Sequence, residues 1–182
     1  MKQSTKLLTA ASLGLVTVSL MALPAFAHTG GHATGGFAAG FLHPFTGIDH
    51  LVAIIGVGVL ATLRGGRAMS ALPAAFLAAM VLGAILPIMG VAIPGAEAMI
   101  VLSLLIVGTL LGLGKRLALP AVVSAVAVFA LFHGVAHGTE MAVSVSPLPY
   151  VMGFVLAGAL ILMLGMIAAM LGAALRRRFA TA

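Results

Sequence analysis

The chain has 182 residues, 63% hydrophobic and 7% charged, with nine Lys or Arg, three Asp or Glu and no cysteine. A soluble domain of this size cannot hide so much apolar surface, and the missing thiols exclude disulfides, thiolate metal sites and thiol catalysis. The formal charge of +6 sits in short basic clusters between apolar runs, as topology determinants do, so a lipid bilayer is the expected partner and a nucleic acid is not.

Residues 1–27 read as a secretory signal peptide. Lys2 and Lys6 supply the positive start, Leu7 to Leu23 the apolar stretch, and Ala25-Phe26-Ala27 an A-x-A cleavage site after Pro24. The other reading is an uncleaved first helix. Cleavage would make His28 the new terminus of a short Gly/Thr-rich tail, residues 28–36, that also holds His32. A terminal amine beside an imidazole is a chelate for a late transition metal. A flexible tail with two solvated histidines fits the same residues.

Five apolar segments follow in a transmembrane domain spanning 37–182: Phe37 to Leu63, Met69 to Met89, Ala96 to Leu113, Leu117 to Met141 and Tyr150 to Leu175. Each is long enough for a hydrocarbon core of about 30 Å, and the runs are continuous rather than alternating, which predicts helices and not a β-barrel. Arg64 and Arg67, Lys115 and Arg116, and Arg176 to Arg178 follow the first, third and fifth segments. The positive-inside rule then puts the N-terminus outside and the C-terminus in the cytoplasm. The expected fold is thus an all-α integral membrane protein, a bundle of five transmembrane helices once the signal peptide is removed.

Two polar stretches interrupt the apolar pattern. In the fourth segment, Phe132 to Glu140 reads FHGVAHGTE. On a helix, His133, His137 and Glu140 project from one face, and Gly134 and Gly138 form a second row where a neighbouring helix could approach closely. In the first segment, His43 to His50 reads HPFTGIDH. On a continuous helix His43 and His50 share a face about 10 Å apart; Pro44 suits a helix's first turn. Asp49 either shares the site or orients a histidine. With the first span descending and the fourth ascending, the two rows face each other in the outer half of the membrane.

Ionisable groups at membrane depth are costly and mark functional positions. Four histidines with carboxylates and no thiols suit a borderline divalent cation such as Ni²⁺, Co²⁺, Zn²⁺ or Cu²⁺. The alternative is that the histidines hydrogen-bond across helices as packing contacts. Glu97, beside Pro94 and Gly95, reads as a solvated charge at a helix N-terminus.

HPFTGIDH and FHGVAHGTE together resemble the paired motifs of the HupE/UreJ family of nickel permeases and hydrogenase or urease accessory proteins, and the A-F-A site followed by histidine is similar too. The resemblance covers the whole mature chain. It implies uptake of nickel, with cobalt as a second cargo, across the bacterial inner membrane to supply metalloenzyme assembly. His43, Asp49, His50, His133, His137 and Glu140 would handle the metal, which is transported rather than kept as a cofactor. A homo-oligomer and metalloenzyme-assembly partners fit this reading, and no enzymatic activity is expected. A non-transporting metal-binding accessory protein is the second reading. An intramembrane zinc-dependent hydrolase is the third; it lacks an HExxH motif.

Overall fold

Long runs of Leu, Ala, Val, Ile and Met leave the backbone no partner in lipid except itself, so the chain coils into helices. The computed structural model describes residues 36–141 and 144–180. The proposed signal peptide and the tail with His28 and His32 lie outside the described residues. The helices are α1 (Gly36–Leu42), α2 (Ile48–Arg64), α3 (Ala68–Ile88), α4 (Ala96–Leu113), α5 (Leu119–Glu140) and α6 (Pro147–Ala180). Four of these are long and apolar enough to cross a membrane, and α1 with α2 makes a fifth if the bent pair counts as one span. The class is a multi-pass α-helical membrane protein.

The first span departs from the expected continuous helix over Phe37 to Leu63. The chain bends by 79° between Gly36–Phe45 and Ile48–Arg64. Pro44 has no N–H to offer the Gly40 carbonyl, so the α-helical ladder stops there. His43–Phe45 tighten into a 3₁₀ turn, and the Thr46 hydroxyl donates to the His43 carbonyl at 2.7 Å. Gly47 is extended, and its carbonyl accepts from Leu51 N–H at 3.0 Å to start α2. The other spans match expectation more closely, although α6 runs on through Arg176 to Arg178 to Ala180.

Backbone contact at glycine sets the packing. α3 and α5 share the largest interface. A Cβ at Gly134 would overlap the Met80 carbonyl oxygen, and one at Gly83 would overlap that of Leu131. Gly138 meets Ala84 in the same way, so the row Gly134–Gly138 does admit a neighbouring helix, and that helix is α3. α6 grips the broken span twice: Gly153 lies against the Phe37–Phe41 backbone and Gly40 against that of Tyr150 across α6 and α1, while Gly165 lies against the Ile55 backbone and Gly58 against that of Leu162 across α6 and α2. Close approach of small residues is the main source of helix association where lipid is as apolar as leucine. The Arg64 guanidinium donates to the Leu117 carbonyl at 2.7 Å and ties the end of α2 to the link between α4 and α5.

The bundle has two chemically different ends. Arg64, Arg67, Lys115, Arg116 and Arg176 to Arg178 lie where α2, α4 and α6 finish. Asp49, Glu97, Glu140 and the four described histidines lie toward the other end, where α2 and α4 begin and α5 finishes.

Candidate functional site

α5 supplies the core of the site. His133 and His137 are one turn apart and both buried, at 1% and 0% exposure. The start of α2 adds His50, at 7%, and the bend at Pro44–Gly47 brings in His43. Because of that bend, His43 does not stand a helical 10 Å above His50; their ring centres are 6.3 Å apart. The His43 and His137 rings are 4.8 Å apart, His50 and His133 5.1 Å, and His50 and His137 5.2 Å. Two imidazoles bound to one ion, with bonds of about 2 Å, have ring centres about 5 Å apart. As they stand, no three His, Asp or Glu side chains among the described residues are grouped to hold one ion.

Hydrogen bonds set the proton positions on these rings. The His133 Nδ1 faces the Phe129 carbonyl at 3.0 Å. A carbonyl only accepts, so Nδ1 carries the hydrogen and Nε2 keeps a free lone pair. Asp49 Oδ1 accepts from the His50 backbone N–H at 2.9 Å and faces His50 Nδ1 at 3.1 Å. Asp49 thus contacts both the backbone and the ring of His50, a geometry that fits an orienting role, and His50 Nε2 is left to the cluster. Nε2 of His50, Nε2 of His133 and both ring nitrogens of His137 are buried without a partner. Buried polar atoms in this state are rare and call for a reason.

At the rim, His43 Nε2 meets Glu140 Oε2 at 2.6 Å, both side chains partly exposed. Glu97 occupies the first turn of α4, as expected of a charge at a helix N-terminus, and is exposed. Its carboxyl also lies close enough to Glu140 for the two charges to interact, a proximity the sequence does not reveal. Facing carboxyl groups repel when both are ionised and together attract a divalent cation.

The walls are aromatic. Phe154 stacks on His137 with ring centres 5.0 Å apart, and Phe76 meets His133 at 5.7 Å. Tyr150 lies between His43 and Phe154, its hydroxyl buried and unpartnered. None of these three aromatics has a sequence signal that separates it from ordinary core.

A cluster of buried imidazoles bordered by carboxylates, set among helices long and apolar enough to cross a membrane, defines the class: a multi-pass helical membrane protein with a buried histidine site. The family follows from comparison. The HupE / UreJ protein family model matches residues 16–182, and the chain belongs to that family. It is 38% identical to Protein HupE of Rhizobium leguminosarum bv. viciae over 151 residues, covering 82% of this chain and 78% of that one. No solved structure matches.

Proposed function

We propose that the protein is a permease that carries nickel, with cobalt as second cargo, across the bacterial cytoplasmic membrane into the cell, for hydrogenase or urease maturation. The observation that carries this reading is the set of four buried, unpartnered ring nitrogens on His50, His133 and His137. Packing histidines would have satisfied those atoms across helices. Neutral imidazole lone pairs suit borderline divalent cations.

His43, Glu140 and Glu97 form the capture rim. Asp49 holds His50 in the orientation that faces the cluster. His50, His133 and His137 then take the ion in turn. Donors that do not converge on one point match this task, because transport needs binding strong enough to select and weak enough to release. The hydrolase reading would need three ligands on one zinc with a water; the sequence lacks an HExxH motif and offers only generic ligands for it.

The test is uptake of radioactive nickel by cells with and without the protein, at matched expression, over a range of external nickel. The parent should raise uptake. His50→Ala and His137→Ala should abolish the increment at every concentration. His43→Ala should be rescued by more external nickel, since a rim defect lowers capture and not passage. If purified protein binds nickel while cells gain none, the accessory reading replaces this one.

A further inference from the structure

Helices α3 and α6 share only a small interface. They touch near the middle of the bundle, where a Cβ at Gly158 would stand 3.1 Å from Met80 and 3.5 Å from Leu77. Toward the arginine-bearing end α6 keeps to α2 instead. Gly165 lies against the Ile55 backbone there, and the Thr62 hydroxyl donates to the Met166 carbonyl at 3.3 Å. A groove of about 350 Å³ is left between α6 and the first half of α3, within the range of about 300–1,000 Å³ of small-ligand sites. None of its nine lining side chains carries a charge, hydroxyl or amide, and four are the methionines Met69, Met163, Met166 and Met170. Thioether chains are unbranched and mould to a flexible apolar ligand.

The two ends of the groove are unlike. It runs from Met69 to Leu77 on α3 and from Met170 back to Ala159 on α6, about 12 and 17 Å at 1.5 Å per residue. Half of a hydrocarbon core is about 15 Å, so the groove has the length of one leaflet. One end stops at the Gly158 contact. The other is basic. Arg67 is the exposed N-cap of α3, two residues before Met69. Arg177 follows Met170 by seven residues, two turns on along the same face of α6. All three Asp and Glu residues of the chain lie toward the opposite end of the bundle.

We propose that this groove binds an anionic phospholipid of the leaflet at the arginine-bearing end, with one acyl chain between α3 and α6 and the phosphate against Arg67 and Arg177. A second copy of the chain fits less well. Packed side by side, two copies would bring arginine to arginine, with no Asp or Glu at that end to offset them. A basic site between membrane helices attracts an anionic headgroup. The lipid site lies apart from the histidine cluster and does not depend on nickel passage.

The chain has no tryptophan, so Met163→Trp places a single indole in the groove, at a side chain that is already exposed. Leu105→Trp, exposed on α4, is the control. Each purified full-length protein is placed in vesicles of equal phosphatidylglycerol and phosphatidylcholine, with bromine as quencher on the acyl chains of one lipid or the other. At Met163→Trp, phosphatidylglycerol should win by at least about fivefold in apparent affinity, the effect of one basic residue near a headgroup. At Leu105→Trp the two lipids should quench equally. Adding Arg67→Ala to Met163→Trp should lower the preference severalfold, and adding Arg177→Ala as well should abolish it. In detergent, the melting temperature of the parent should rise with phosphatidylglycerol, but not with phosphatidylcholine or inorganic phosphate. Equal quenching by the two lipids at Met163→Trp overturns the proposal, as does a preference that survives both arginine substitutions. An indole at position 163 that neither lipid quenches also overturns it, and marks a second copy in the groove. A melting temperature raised as much by inorganic phosphate overturns it too, leaving a site for a free anion.

Discussion

His50 and Asp49 are neighbours in the chain and also partners in space: one carboxylate oxygen, Oδ1, engages both the backbone N–H and the ring Nδ1 of the next residue. This local clamp sits in the first turn of α2, where the helix dipole favours a negative charge. It aims the imidazole away from the carboxylate and toward His133 and His137.

Asp49→Asn keeps the shape and loses the charged acceptor. Removing an orienting partner of this kind weakens metal binding by about 10–100-fold. We expect the half-saturating nickel concentration for uptake to rise by that range. Gly47→Ala should act in the same direction more weakly, since its Cβ would stand 2.9 Å from His50 Nδ1 and 3.0 Å from Asp49 Oδ1. Unchanged uptake curves for Asp49→Asn would remove the clamp from the mechanism.

Glu97→Gln should not be silent. Its carboxyl faces Glu140, so the two are expected to attract the same ion. Each single Gln substitution should raise the half-saturating nickel concentration about tenfold, the effect of about 1.4 kcal/mol. The double variant should lose less than the two added together, because residues sharing one partner are coupled. Full additivity in a nickel titration of the purified proteins would separate Glu97 from the rim.

Gly134→Ala should lower the thermal stability of the detergent-solubilised protein. Its Cβ would overlap the Met80 carbonyl and force α3 and α5 apart, and overpacking of this kind costs about 1–3 kcal/mol. Gly108→Ala on α4 should do the opposite. A Cβ there meets nothing, and replacing Gly by Ala inside a helix gains about 0.5–1 kcal/mol. Melting curves that move together in both variants would contradict the glycine-contact account.

Membrane sidedness is open to direct labelling. Single cysteines replacing Val91 or Ser144, near the histidine end, should react with an impermeant thiol reagent added to intact spheroplasts. Cysteines replacing Gly66 or Lys115, at the arginine end, should react after the membrane is permeabilised. The reverse pattern would turn the bundle over and make the proposed capture rim an exit.

The sequence by itself determined the membrane class and, within a few residues, the helices α3 to α6. Spanning about 30 Å of hydrocarbon takes about 20 apolar residues, and that demand is written locally in each segment. The convergence of His133, His137 and Glu140 is local too, since the helical repeat alone projects them from one face. The HPFTGIDH and FHGVAHGTE motifs, read together, point to the family that the comparison shows.

Tertiary structure decided what depends on a neighbour. Pro44 is compatible with the first turn of a helix and with a break inside one; packing of α1 and α2 on α6 through Gly153 and Gly165 accommodates the break, and the bend then carries His43 to Glu140. Glu97 has the same local sequence whether its carboxyl meets water alone or Glu140 as well. Gly83 and Gly108 are both helical glycines among apolar residues, yet one meets the Leu131 backbone and the other open space. Helical periodicity says which residues share a face, but only packing says what that face touches.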